Sequence, residues 1–130
     1  MKKHAGGFAP EDDATKTLPA VLPYPRRVAV IVNRGCGSTC EQFVLAARQS
    51  KKVTLYGTNT AGVLDYANLL FAPIGSCSDL SLHYATSRTK RLPQQPVAPM
   101  GIAPDVAIPE TEMFPIELVR KTMITRTRAQ

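Results

Sequence analysis

Histidine is scarce in this sequence: His4 and His83 are the two present in 130 residues. A histidine base therefore has few places to come from. His4 stands in a stretch with no sustained period, and His83 sits in an alternating strand pattern where a surface or packing role is the commoner one. Cysteine is also sparse. Three cysteines, an odd number, do not build a disulfide framework. Cys36 and Cys40 stand four apart with no histidine cluster beside them, which argues against zinc and leaves both as small buried hydrophobes. As nucleophiles they are weak candidates, since Cys40 is expected to face the helix core and Cys36 lacks a visible activator. No apolar run approaches the roughly 18 residues that a membrane-spanning helix needs. Met1, Lys2 and Lys3 are positive or neutral as in a secretory leader, but Gly6, Gly7, Pro10, Glu11, Asp12 and Asp13 stand where its apolar core would lie. No export signal, no metal and no cofactor are expected.

What is present fits one small globular domain with a modest core. Hydrophobic residues make up 44% and charged residues 20%, which argues against wholesale disorder. The net charge of +6 is dispersed over Lys2-Lys3, Arg26-Arg27, Lys51-Lys52, Arg88 to Arg91 and a tail from Arg120 to Arg128. A nucleic-acid binder would show one basic face interleaved with aromatics, and no such pattern is visible, so nucleic acid is not an expected partner.

The chain is organised around Val28 to Gly57. Residues 1–27 lack a period, and LPAVLPYP carries three prolines, so an extended lead-in is expected. Val28 to Val32 is a short β-branched apolar run that suits a parallel strand buried on both faces. Asn33 to Gly37 breaks it with two glycines. From Thr39 to Gln49 the period becomes helical, with Cys40, Phe43, Val44 and Ala47 on one face. Lys51 and Lys52 suit the helix C-terminus, and Val53 to Gly57 begins a second strand, giving a βαβ unit. Val63 to Phe71 reads as a strand or strand pair. Leu80, Leu82 and Tyr84 alternate with polar residues as a half-buried strand, Pro93 to Pro99 forms a loop, and Ile116 to Ile124 forms a terminal helix with Pro115 in its first turn.

Ser38, Thr39, Cys40 and Glu41 match the capping box, in which the serine hydroxyl accepts an amide three residues on and the glutamate reaches back. That role is structural. The same position, at the head of a helix that follows a buried strand, also offers free amides and the positive end of the macrodipole. A serine there can act as a nucleophile, with the Thr39 amide as one oxyanion donor. A base and a second donor are still needed.

The run from Val28 to Tyr66, with Ser38 three residues before Glu41 and Gly57-Thr58-Asn59-Thr60-Ala61-Gly62 following, resembles the catalytic strand, nucleophile turn and helix of the C-terminal-processing, or tail-specific, serine peptidases, a family that includes the tricorn core peptidase. Gly101-Ile102-Ala103-Pro104-Asp105-Val106 is similar to the closing segment of that family. The resemblance covers about residues 24–110. It implies an α/β fold of the ClpP/crotonase type built from ββα units, with Ser38 attacking a peptide carbonyl to form an acyl-enzyme, and a peptide or protein as substrate. One branch of the family places a lysine base where this chain has Val63. The tricorn-like branch takes a histidine and a serine from an upstream segment and an acidic residue from a few positions before the closing glycine, where this chain reads Pro96 to Met100 without a carboxylate. The family's Gly-rich oxyanion segment is expected before residue 24. The chain is therefore read as an extended lead-in over 1–23, the C-terminal part of a catalytic domain over 24–110, and a terminal helix with basic tail over 111–130. By this reading it is an incomplete core with little activity alone. The alternative is a non-catalytic peptide-binding module of the same fold. Members of the family are often exported, so the parent protein is periplasmic or secreted in one reading; oligomeric state and compartment are left open.

Overall fold

The computed structural model describes residues 7, 9–112 and 115–128. In chain order the elements are β1 (Val28–Val32), α1 (Thr39–Ala47), β2 (Val53–Gly57), β3 (Tyr66–Ile74), β4 (Cys77–Arg88), β5 (Val106–Ala107) and α2 (Pro115–Arg128). Residues 9–27 form no helix or strand, in keeping with their prolines. Among the described residues no helix is long and apolar enough to cross a membrane.

β1, β2 and β5 form a parallel sheet in the order β1-β2-β5, with Val28 opposite Val53 and Val32 opposite Gly57. The strand-helix-strand reading of Val28 to Gly57 is therefore the observed one. Side chains alternate across the sheet. One face carries Val30, Val32, Val53 and Leu55 into a cluster with Cys36, Val44, Leu45, Leu64, Val97 and Ile102. The other carries Ala29, Tyr56 and Val106 against Ile108, Val119 and Met123, the last two from α2. The core thus lies on both sides of a small sheet, and it is formed as much by loop residues as by helices.

The second sheet is the antiparallel hairpin β3-β4. Leu70 pairs with Tyr84 and Ala72 with Leu82, while Leu69 pairs with Ala85 and Phe71 with His83.

Several expectations are corrected. β1 is less buried than expected: it lies at the sheet edge among the described residues, Val28, Ala29 and Val30 are half-buried, Ile31 is exposed, and only Val32 is buried. The buried face of α1 is Glu41 and Val44 with Leu45 beside them, whereas Cys40 and Phe43 face outward. Periodicity pointed to the apolar face, but a satisfied carboxylate occupies the inward position. Cys36 and Cys40 are joined by a disulfide, and only Cys36 is buried. Leu80, Leu82 and Tyr84 do lie on one strand, but they are exposed, because no other element covers the hairpin among the described residues. In α2, Val119 is buried and Ile116 is exposed.

Candidate active site

Ser38 is reached from β1 through a turn set by Asn33. Its side-chain oxygen accepts the Gly35 amide at 2.9 Å, and its carbonyl accepts the Cys36 amide at 2.9 Å. Gly37 follows, where a side chain would be crowded. A Cβ there would lie 3.0 Å from Val63 Cγ2 and 3.1 Å from Ala61 Cβ. Ser38 itself has φ 53° and ψ −113°. A serine at positive φ is strained, and such conformations persist where the surroundings over-determine them. A sharp, strained strand-to-helix turn is also how a nucleophilic serine is presented above a sheet. Ser38 is exposed, and α1 begins at Thr39, whose amide has no intrahelical partner by helical geometry.

The capping box is only half a pair of hydrogen bonds. Glu41 Oε2 accepts the Ser38 amide at 3.1 Å. The Ser38 hydroxyl stands towards the Glu41 amide in the capping-box arrangement but makes no capping hydrogen bond. That leaves the hydroxyl available.

Glu41 is the centre of the arrangement. It is fully buried, and Oε1 accepts the Thr60 hydroxyl at 2.6 Å and the Gly62 amide at 2.7 Å. Oε2 accepts the Val63 amide at 3.0 Å as well as that of Ser38. Burial pushes the Glu41 carboxyl up, but the Thr60 hydroxyl and the amides of Val63, Gly62 and Ser38 outweigh it and hold the group below its ordinary value. Four donors around an anion account for a carboxylate that is charged in the core.

The same network gathers the three motif segments. Thr60 Oγ1 accepts the Ile102 amide at 2.7 Å, the Thr60 amide donates to the Ile102 carbonyl, and the Ala61 amide donates to the Cys36 carbonyl at 2.9 Å. Gly101, at φ 76°, lies so close to Thr60 that a Cβ would stand 2.2 Å from its carbonyl oxygen. Asp105 Oδ2 accepts the Leu55 amide at 2.8 Å and Oδ1 takes Arg48 Nη2 at 2.5 Å. The Leu55 amide lowers the Asp105 pKa, burial opposes it, and Arg48 lowers it further.

Sequence reasoning missed one further carboxylate. Asp65, almost fully buried, accepts the amides of Val97 and Ala98 at 2.7 and 2.8 Å through Oδ2, with Arg91 Nη2 3.6 Å from Oδ1. A carboxylate therefore does stand at the loop before Gly101, but it arrives from a distant position in the chain. Its only sequence signal is an acid directly after the apolar Val63-Leu64 pair.

The structure does not bring His83 to Ser38. Its Nε2 lies 2.8 Å from Ser81 Oγ, and its ring meets Phe71 edge-on at 4.3 Å, all within the hairpin. His4 lies outside the described residues. Position 63 does lie beside the serine, since the Val63 and Ser38 amides share one carboxylate oxygen, but it carries an isopropyl group.

The chain that carries these three segments is similar to known proteins. The pattern of Peptidase family S41 matches residues 3–108. The chain belongs to peptidase family S41. Among solved structures it is similar to a candidate peptidase from Parabacteroides merdae, at 22% identity and a TM-score of 0.58, covering 76% of this chain and 32% of that one. It is also similar to the tricorn protease, at 18% identity and a TM-score of 0.55, covering 98% of this chain and 13% of that one. The S41 chain therefore spans about a third of the first protein and a smaller share of the second. No curated protein matches it. The family is one of serine peptidases, whose substrates are peptides or proteins.

Proposed function

We propose that the chain carries the nucleophile of a serine peptidase of the C-terminal-processing type, with Ser38 Oγ attacking a peptide carbonyl and the Thr39 amide as one donor to the oxyanion. One observation carries the reading above the others. Ser38 is exposed in a strained conformation at the head of α1 and its hydroxyl makes no cap hydrogen bond. A serine serving only as a cap would adopt extended backbone and accept an amide. In the proposed reaction the hydroxyl loses its proton to a base, its oxygen bonds to the carbonyl carbon, and the amine departs with a proton. Water then cleaves the acyl-enzyme. Glu41 does not act as the base. It is fully buried, holds four donors and has a lowered pKa, so it positions the turn.

This reading takes residues 24–110 as the C-terminal part of a ClpP/crotonase-type ββα core, preceded by the lead-in over 1–23 and followed by the helix and basic tail over 111–130. The base and second oxyanion donor then come from residues beyond the lobe around Ser38, and the lobe alone has little activity.

A second reading, a peptide-binding module without catalysis, is favoured by Val63 beside the serine and by the engagement of Glu41, Asp65 and Asp105 with backbone amides. Reaction with a serine-directed phosphonate separates the two. An adduct on Ser38 that disappears in Ser38→Ala supports the nucleophile. Equal labelling of the two proteins rejects it.

A further inference from the structure

The disulfide joins Cys36 to Cys40, so Ser38 is the middle residue of the loop it closes. The two ends of that loop differ. Cys36 is buried in the core cluster and is anchored on its own account by the Asn33 carbonyl and the Ala61 amide. Cys40 lies in the first turn of α1 and is exposed. Between them Ser38 holds φ 53°, a conformation that requires external restraint. The covalent bridge acts across the turn together with three hydrogen bonds, from the Ser38 amide to Glu41, from the Cys40 amide to the Gly37 carbonyl and from the Gln42 amide to the Ser38 carbonyl.

We propose that Cys36–Cys40 is a thiol-exchange site that sets the Ser38 turn, held when the pair is oxidised and released when a dithiol reductant opens it. Access directs attack to Cys40. The reductant's thiolate forms a bond to Cys40 Sγ, the Cys36–Cys40 bond breaks, and its electron pair goes to Cys36 Sγ, which takes a proton. The second thiol of the reductant then displaces Cys40 Sγ, leaving two protein thiols and one oxidised reductant. With the bridge gone, only hydrogen bonds remain to hold a strained serine, and the turn relaxes while Cys36, Glu41 and the sheet keep their own contacts. The consequence for chemistry rests on Ser38 being the nucleophile; the conformational effect does not.

The test uses the full chain carrying Cys77→Ser, so that this pair alone is read, with and without dithiothreitol. Alkylation followed by mass measurement is expected to show two thiols gained on reduction. Amide exchange at residues 37 and 38 is expected to quicken about tenfold or more, with that of 53–57 unchanged. A Cys36→Ala/Cys40→Ala variant in the same background is expected to exchange fast at the turn and to ignore the reductant. No gain of thiols, unchanged exchange after such a gain, or equal acceleration in β2 overturns the proposal. Phosphonate labelling run in parallel is expected to slow on reduction. Labelling absent in both states counts against the nucleophile and leaves the exchange result to decide the switch.

Discussion

The lobe around Glu41 and the β3-β4 hairpin are built on opposite principles. In the lobe, Val32, Val44, Leu55, Leu64, Val97 and Ile102 are buried, and the irregular turns between them are satisfied by three carboxylates. In the hairpin, a long regular register satisfies the backbone, yet Leu69, Leu70, Phe71, Leu80, Leu82 and Tyr84 are all exposed. Backbone pairing alone gives a ribbon of marginal stability, since a two-stranded hairpin needs a covered apolar face to stand independently. Side-chain burial with side-chain-to-backbone hydrogen bonds gives a rigid site from segments that have almost no regular structure. The site is where the second principle operates.

The largest test of that contrast is Glu41→Ala. It leaves the Thr60 hydroxyl and buried amides without acceptors, so a loss of about 3–5 kcal/mol is expected by denaturant unfolding. A loss below about 1 kcal/mol would mean that the lobe is held by its apolar cluster and not by the carboxylate.

Acid is expected to act in the same direction. Glu41 is held below its ordinary 4.5 and Asp105 below its ordinary 3.8. Each contributes stability that is present above the unfolded value and is lost as pH falls through the folded one. Stability is therefore expected to be level above about pH 5 and to fall below pH 4.5, with a shallower fall in Glu41→Gln. An unchanged acid limb in Glu41→Gln would assign the effect to other carboxylates.

A smaller effect belongs to Ser38. Because its hydroxyl makes no cap bond, Ser38→Ala is expected to change stability by less than about 0.5 kcal/mol, against roughly 1 for an ordinary cap. Ser38→Gly, which relieves the positive φ, is expected to gain about 1 kcal/mol. A marked loss in Ser38→Ala would restore the cap as the residue's main role.

The smallest change is expected in the hairpin. Leu70→Ser or Leu82→Ser removes an exposed side chain and is expected to move stability by no more than about 0.5 kcal/mol. A loss of several kcal/mol would show that this face is covered in solution.

The path from Val28 to Gly57 was legible because its signals are local: a β-branched run, a glycine-rich break, a helical period and a second apolar run. Ser38 was legible as a candidate through its place at that break, and the three motif segments through their order. Less legible was which face of α1 is inward. Glu41 breaks the apolar period, and only the donors of Thr60, Gly62 and Val63 make its burial possible. The Cys36–Cys40 bond was read as two unlinked residues, because an odd cysteine count says nothing about which pair the turn brings together. Asp65 escaped notice for the same reason, since its partners Val97 and Ala98 lie far along the chain.

By itself the sequence determined the order of strand, turn, helix and strand, and the placing of a serine where the turn enters the helix, because propensity, periodicity and glycine act between near neighbours. The tertiary structure decided that this serine is strained, exposed and uncapped, and that the glutamate three residues on is a buried clamp. Those properties depend on contacts between residues 36–41, 60–63 and 97–105, and no local pattern encodes a contact across that separation.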